Sequence, residues 1–329
     1  MITNKKLWIF GAVVFVLAIA LIIIYLPKEE RSGKELPKSV VKVGCAIEAM
    51  HNFPLFVAKE KGFFDDYGLE VQLKEMDAPL LLPALLAGEI DYFNIVSMGV
   101  SAISKGAPLK MVVSLMRDIP YALFSQPGLE LKDLKTIGIM YRFIFSHYRL
   151  LKLVEEHNLS VKIISPEGIL ASIPLLQRQE VDALFYPYPT LSAIKLEKEG
   201  YPILLIENTG VPQALGTTED KIKNNPEEIE KMIKALQASA EFIRNNPKES
   251  KELLYDFLRL EKTDTNQEII EKIYPILREL VEVSSPTEEG MKLLIKHSKA
   301  GEYSTYEEVD QQAVSEEEIN KFFDLRFVK

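Results

Sequence analysis

The 329-residue sequence contains one cysteine, Cys45, and four histidines. A single cysteine cannot form an intramolecular disulfide, and it cannot supply the thiolate sets that hold structural zinc or iron–sulfur clusters. Stability must therefore come from packing. With 47% hydrophobic residues, the chain can bury a substantial core, and its length favours about two domains.

The chain also lacks an excess of positive charge. Its formal net charge is −9, whereas proteins that bind nucleic acid present clustered Lys and Arg to the phosphate backbone. We therefore expect no nucleic-acid partner. The Gly-x-Ser-x-Gly and His-Glu-x-x-His motifs are absent and the histidines are scattered, so we also predict no metal site, no cofactor and no catalytic residue.

Residues 7–26 contain no charged side chain at all. A stretch of about 20 apolar residues matches the length of a helix that spans a bilayer. No A-x-A-like cleavage site follows it, so residues 1–27 are predicted to form a short cytosolic stub and an uncleaved transmembrane anchor. Residues 28–39 are charged, contain Pro37 and follow Pro27 directly, and they are predicted to link this anchor to an extracytoplasmic body.

Strand-like and helix-like segments alternate from residue 40 to residue 207. Val40–Ala46 has the composition of a strand, and Leu69–Leu73 alternates apolar with polar residues, as a strand with one solvated face does. This alternation predicts parallel βαβ units. It restarts after the turn-rich segment Gln126–Gly128, which suggests two lobes.

The pattern becomes helical from Asn225 onward. Asn225, Pro226 and Glu228 suit the N-cap, N1 and N3 positions of a helix. Apolar residues then follow at helical spacing, from Ile229 to Ile243. Further helices are predicted at Pro247–Leu258, Gln267–Val281, Thr287–Lys296 and Ser315–Phe323.

Several segments resemble the ABC-transporter substrate-binding proteins of the nitrate, sulfonate, taurine and thiamine-pyrimidine group. The resemblance covers nearly everything after residue 40. It rests on five segments: Pro54–Val71, Ala84–Asp91, Lys105–Leu109, Val181–Ala183 and Asn225–Pro247.

The resemblance implies an α/β, two-lobe type II periplasmic-binding-protein fold with a helical C-terminal region, in addition to the N-terminal transmembrane helix. In this fold the chain crosses between the lobes twice, which would fit crossings near Ser114–Pro120 and Leu205–Gly210. Lobe I would then comprise residues 40–117 and 208–329, including the C-terminal helices, and lobe II residues 118–207.

The resemblance also implies the function of a monomeric solute-binding component that delivers a small molecule to an ABC permease and its ATPase. A pyrimidine-like heterocycle, a sulfonate or a similar anion would suit it. Two alternatives stay open because one fold hosts many functions. One is an enzyme, pyrimidine-synthase-like or menaquinone-pathway-like, although the cysteine-rich iron-binding segment of the pyrimidine synthases is absent. The other is a ligand-sensing ectodomain.

Ligands of open α/β sheets lie beyond the carboxyl ends of the strands, near helix N-termini. In the first half of the body this rule selects Glu48, His51 and Asn52 after the first strand, and Ser97 and Met98 at a helix start. Two alternatives remain: His51 could be a cap or surface residue, and Ser97 a simple N-cap.

In the second half the rule selects Tyr141, Arg142 and Ser146, and then Tyr186 and Tyr188 among prolines. Arg142 could pair with an anion across a cleft or form a surface ion pair. The tyrosines could face a flat ligand or pack in the core. Cys45 lies in the predicted first strand, where a thiol is usually buried and inert.

Overall fold

The computed structural model describes residues 38–47, 49–142, 145–166, 168–298 and 311–328. The described residues belong to one compact unit. The predicted anchor, most of the predicted linker and Glu48 lie outside the described residues. In the parts of the chain that the structure does describe, no helix combines the length and apolar character needed to cross a membrane.

The first of two five-stranded sheets, sheet I, has the strand order β2-β1-β3-β10-β4. β1 pairs in parallel with β2 and β3, whereas β10 is antiparallel to both β3 and β4. Its strands are β1 (Ser39–Ala46), β2 (Leu69–Met76), β3 (Tyr92–Phe93), β4 (Leu109–Met116) and β10 (Gln213–Thr218).

The second sheet, sheet II, has the strand order β7-β6-β8-β5-β9. β6 pairs in parallel with β7 and β8, and β5 is antiparallel to β8 and β9. Its strands are β5 (Tyr121–Ser125), β6 (Thr136–Gly138), β7 (Lys162–Ile164), β8 (Ala183–Pro187) and β9 (Ile203–Glu207).

The helices connect these strands and extend the C-terminal region. Those within the alternating part are α1 (Phe53–Glu60), α2 (Phe63–Asp66), α3 (Ala78–Leu86), α4 (Val96–Ser104), α5 (Phe145–Glu156), α6 (Ile169–Gln177) and α7 (Leu191–Lys198). Those that follow β10 are α8 (Glu219–Asn224), α9 (Pro226–Asn245), α10 (Pro247–Phe257), α11 (Asp264–Leu280), α12 (Glu288–Ser298) and α13 (Glu316–Phe322).

The prediction of parallel βαβ units throughout is wrong for β5 and β10. Each of these strands follows a crossing of the chain from one sheet to the other. Because the chain enters each sheet from the side that faces the other sheet, the strand after a crossing runs antiparallel to the strands with which it pairs.

The apolar residues of α9 from Ile229 to Ile243 are buried, as their spacing predicts, and the helix packs on α1. The predicted N-terminal cap differs. The side chain of Asn225 makes no capping hydrogen bond. Glu228 instead forms an ion pair with Lys221 at 2.8 Å and accepts a hydrogen bond from the hydroxyl of Tyr92 at 3.2 Å. Desolvation of this buried tyrosine and the Glu228 charge raise its pKa well above 10.

One aspartate precedes a strand in each sheet and binds the backbone of the neighbouring parallel strand, β1 in sheet I and β6 in sheet II. In sheet I, Asp91 accepts a 2.8 Å hydrogen bond from the backbone amide of Lys42. In sheet II, Asp182 accepts 2.8 Å hydrogen bonds from the amides of Lys135 and Thr136. These hydrogen bonds lower the pKa of Asp182 against the opposing effect of burial, which is the largest contribution. The carboxyl ends of both strands are left to face the region between the sheets.

Candidate functional site

A cavity of about 270 Å³ is lined by residues from both sheets and by the segments that join them. Residues that follow the strands β1, β6 and β8 contribute to its wall, together with the first turns of α3, α4, α5 and α6. This is the location that the strand-end rule favours for a ligand. The wall is mostly apolar, with a small number of polar side chains.

Most of the predicted site residues lie on this wall. They are His51, Ser97, Met98, Tyr141, Arg142, Ser146 and Tyr188. The structure therefore brings together side chains that are spread over more than 130 residues of the sequence, counted from His51 to Tyr188. Their role as ligand contacts stays a prediction.

Asn52 and Tyr186 do not contribute to the wall among the described residues. The side-chain amide of Asn52 donates to the carbonyl of Ala46 at 2.8 Å and accepts a hydrogen bond from Asn94. Tyr186 lies within β8 and is fully buried in the core. We infer that Asn52 orients the turn after β1 and that Tyr186 packs in the core beneath the residues of the wall.

His51 is the most buried ionisable side chain of the wall. It lies in a one-turn 3-10 helix, Met50–Asn52, and is 3% exposed. Neither ring nitrogen makes a hydrogen bond of normal geometry. Desolvation lowers the pKa of His51 to about 4, although hydrogen-bonding contacts with the backbone and the side chain of Asn94 partly oppose this effect. The imidazole is therefore neutral at neutral pH.

Ser97 is not the N-cap of α4, which was the alternative to a ligand contact. The N-cap position is held by Ile95, and α4 begins at Val96. Ser97 therefore lies in the first turn of the helix, with its side chain on the wall of the cavity. Backbone N–H groups of a first turn lack partners within the helix, so this end of α4 suits a polar ligand atom.

Tyr121 lines the cavity and is not among the site residues predicted from the sequence. Its ring stacks on Phe185 with centroids 5.0 Å apart. Desolvation raises the pKa of its hydroxyl to about 12, and a hydrogen bond with Ser146 opposes this shift. Tyr121 follows Pro120 at the start of β5, and the strand was not predicted. A proline followed by an aromatic residue at a predicted crossing was the available signal.

The ring of Tyr188 lines the cavity, and its hydroxyl lies next to Glu197 on α7. Burial is the main reason why the pKa of Tyr188 is raised, and the charge and hydrogen bonding of Glu197 add to the effect. Glu197 also forms an ion pair with Lys272 on α11. Tyr188 therefore offers the cavity mainly an aromatic surface.

Charged side chains of the described wall lie at its exposed edge. Asp77 precedes α3 on one side, and Arg142 follows β6 on the other; both are exposed. The guanidinium of Arg142 donates to the carbonyl of Ile163 at 3.0 Å. The charges of Asp77 and Arg142 thus lie at the edge of the cavity, whereas its buried end, at the neutral His51, carries no charge.

The two crossings of the chain are joined next to the cavity. Asp118 accepts a 3.1 Å hydrogen bond from the backbone amide of Thr209 and a second one from its hydroxyl. Both residues are buried. Thr209 and, further along, Gln213 also line the cavity. Thr209 and Gln213 were not predicted as residues of the wall, because the contact between Asp118 and Thr209 joins positions that are distant in sequence.

Cys45 lies in β1, is 2% exposed and does not line the cavity. Desolvation raises the pKa of its thiol to about 12, and the nearby Glu75 adds to the shift. A thiol of this kind is not a nucleophile at neutral pH. Within the described ranges, His, Cys, Asp and Glu side chains nowhere gather in a group that could hold a metal ion.

A comparison with protein-family models matches residues 50–250 to the family described as NMT1/THI5 like. The comparison with curated proteins found no match. The matched residues include both crossings and most of the wall of the cavity.

Solved structures share the fold over nearly their whole length. A Candida albicans protein described as having the generic periplasmic binding protein structural fold is 15% identical, with a TM-score of 0.68 over 89% of this chain and 98% of that one. The zinc-bound ligand-binding component of an ABC-type import system from Staphylococcus aureus is also 15% identical (TM-score 0.67; 88% and 98% covered). The periplasmic aliphatic sulphonate binding protein of Escherichia coli is 16% identical (TM-score 0.66; 87% and 97% covered). At these identities the likeness defines the fold, and it confirms the predicted two-lobe periplasmic-binding-protein architecture.

Proposed function

The chain belongs to the NMT1/THI5-like family, and we propose that it is the solute-binding component of an ABC importer. One observation carries the proposal: a cavity lined from both sheets, beside the two crossings that join them. Two bodies connected by short crossings can open and close around a ligand by hinge bending. Residues 40–117 with 208–329 would be one lobe, and residues 118–207 the other.

The cargo is a small organic molecule. Aromatic rings of Tyr121 and Tyr188 and apolar side chains such as Met140 form much of the wall. A flat ligand can stack on such rings, whereas a bare inorganic ion would gain little from them. The relatives named above as a sulphonate binding protein and an importer component support transport as the biological role.

The body would act outside the cytoplasm as a monomer, tethered by residues 7–26. Uncharged apolar character over these residues supports the anchor. A permease and its ATPase would be the partners, and an anchor next to them would keep the binding protein at a high local concentration. Positive charge is nearly equal on the two sides of the span, with Lys5 and Lys6 before it and Lys28 and Arg31 after it. This balance does not favour one orientation of the anchor, so the extracytoplasmic orientation of the body is inferred from the fold.

The proposal is tested by a thermal-shift screen of the full chain against small heterocycles, sulfonates and other anions. A ligand that binds only the folded state raises the melting temperature. Hits are then measured by titration calorimetry with Arg142→Ala and Ser97→Ala. We expect weaker binding in at least one variant, with the melting temperature of the free protein little changed.

The transport role is tested separately by adding the loaded chain to its purified permease and ATPase in liposomes. We expect the ligand-loaded chain to stimulate ATP hydrolysis and the ligand-free chain to do so less. A compound that is chemically converted by the chain would contradict the proposal and favour an enzyme.

A further inference from the structure

The feature that points to the chemistry of the ligand is the imidazole of His51. It lines the cavity, is 3% exposed and has no hydrogen bond of normal geometry at either ring nitrogen. Buried polar groups in folded proteins almost always have a partner, because leaving one unsatisfied is costly. Beyond the contacts with Asn94, a ligand or a water molecule in the cavity must therefore supply that partner.

The charge state of His51 defines what the partner can be. Desolvation keeps the imidazole neutral at neutral pH. A neutral imidazole has one N–H donor and one lone-pair acceptor. A sulfonate or carboxylate offers acceptors alone, so it would leave one ring nitrogen unsatisfied or require a buried imidazolium. An uncharged group with both a donor and an acceptor satisfies the ring without added charge.

The surroundings of His51 offer little to neutralise a buried anion. The positive charge of the described wall belongs to Arg142, which is exposed and bonded to the carbonyl of Ile163 at 3.0 Å. Ser146 is hydrogen-bonded to Tyr121, and the hydroxyl of Tyr188 lies beside Glu197. An unpaired anion transferred to such an environment would carry a large desolvation cost.

Building on the proposed function, we propose that the solute presents an uncharged donor-and-acceptor group, such as an amide, lactam or sulfonamide, to His51 at the buried end of the cavity. Any anionic substituent of the solute lies at the exposed edge, on the side of Arg142. The chain thus selects against small molecules whose only polar group is an anion.

The test uses matched pairs of probes that differ in charge: benzenesulfonamide and benzenesulfonate, benzamide and benzoate. Binding to the full chain is measured at pH 7 by thermal shift and by titration calorimetry. We expect the uncharged member of at least one pair to bind at least tenfold more tightly than the anionic member. Titrations in two buffers of different ionisation enthalpy should show no proton uptake.

Two substitutions separate the role of His51 from that of the cavity as a whole. His51→Leu removes both polar atoms, and we expect it to weaken binding of the uncharged probe roughly tenfold to hundredfold. His51→Gln keeps a donor and an acceptor and should weaken it less. The melting temperature of each free variant verifies that it folds. Asp77→Asn removes the carboxylate of the described wall and so identifies any proton uptake that does not involve His51.

Tighter binding of the anionic probes, with uptake of a proton that is lost in His51→Gln, would overturn the inference. Equal affinity of the wild type and His51→Leu for every probe would also overturn it, while leaving the proposed binding function in place. If no probe of either charge binds at millimolar concentration, the inference is overturned, whereas the proposed function is decided by the wider thermal-shift screen.

Discussion

A single carboxylate, that of Asp118, accepts hydrogen bonds from both the backbone amide and the hydroxyl of Thr209, and so joins the two crossings of the chain. Both residues are buried, and Thr209 also lines the cavity. The contact therefore connects the wall of the site with the segments about which the two sheets could rotate.

Removing the Thr209 hydroxyl should loosen this connection. Thr209→Val leaves the amide hydrogen bond but removes the second one, and we expect a loss of roughly 1–3 kcal/mol in the free energy of unfolding, together with weaker ligand binding. Urea denaturation and titration calorimetry measure the two effects. Thr209→Ser, which keeps the hydroxyl, is the control; equal losses in the two variants would contradict the assignment.

Gly290 on α12 should not tolerate a side chain. A Cβ atom there would lie 2.8 Å from Cδ of Pro212 and 2.9 Å from the carbonyl oxygen of Gly210, just after the second crossing. Because the second atom belongs to the backbone, we expect Gly290→Ala to destabilise the chain by about 1–3 kcal/mol. Gly168→Ala, whose Cβ would meet Ala171 at 3.4 Å, is the control and should change the denaturation midpoint much less.

Two ion pairs join α7, which follows β8 of sheet II, to α11 of the C-terminal region. Glu197 pairs with Lys272, and Lys198 pairs with Glu268 at 2.9 Å. Lys272→Glu replaces the attraction between α7 and α11 at this pair with repulsion. Because partly exposed pairs contribute up to about 1 kcal/mol, we expect the substitution to weaken ligand binding about twofold to fivefold. The loss should shrink at high salt.

The double variant Glu197→Lys with Lys272→Glu should recover the affinity if the pair itself matters. The control is Lys251→Glu, which breaks a pair with Glu271 at 2.5 Å between α10 and α11, both outside sheet II. A similar loss of affinity in this control would show that α11 acts through its own stability rather than through its contact with α7.

Tyr188 should contribute its ring rather than its hydroxyl. Because the hydroxyl lies beside Glu197, we expect Tyr188→Phe to bind the ligand within about twofold of the wild type. Tyr188→Leu, which removes the aromatic surface from the wall, should bind at least tenfold more weakly. Calorimetric dissociation constants distinguish the two; a large loss in Tyr188→Phe would mean that the hydroxyl contacts the ligand.

Burial of His51 should make the free protein sensitive to acid. Its pKa is 6.5 in the unfolded reference and about 4 in the folded chain, so the unfolded chain takes up the proton first as the pH falls. The contribution to stability is complete above about pH 6.5 and is lost as the pH falls towards 4, by roughly 3 kcal/mol in full. Urea denaturation between pH 7.5 and pH 4 should show a shallower slope for His51→Gln than for the wild type. His157→Gln, at an exposed position, should keep the wild-type slope.

Much of the architecture can be predicted from local patterns in the sequence. The amphipathic spacing of α9 and the alternation in β2 follow from one buried face each, so the elements and their burial were predictable. The α/β class and the resemblance to ABC substrate-binding proteins are confirmed. The lobe limits at residues 117 and 207 and the anchor stay predictions.

The strands that were missed depend on distant partners. β10 contains Gly216 and begins with Gln213, so its composition resembles a turn, yet it completes sheet I between β3 and β4. β5 has no alternation because it is buried on both faces. The site shows the same limit: the strand-end rule located its wall, whereas the contacts of Tyr121 with Ser146 and of Thr209 with Asp118 required the fold.

The strand order of the two sheets has a consequence for biosynthesis. All strands of sheet II come from the contiguous residues 121–207, whereas sheet I needs β10, which is translated after all of them. Until β10 arrives, the facing edges of β3 and β4 have no partner in the nascent chain, and exposed edges of this kind are prone to aggregation. The first half of the body to leave the ribosome is thus the last to be completed, so premature termination before residue 213 should yield a product that only chaperones keep soluble.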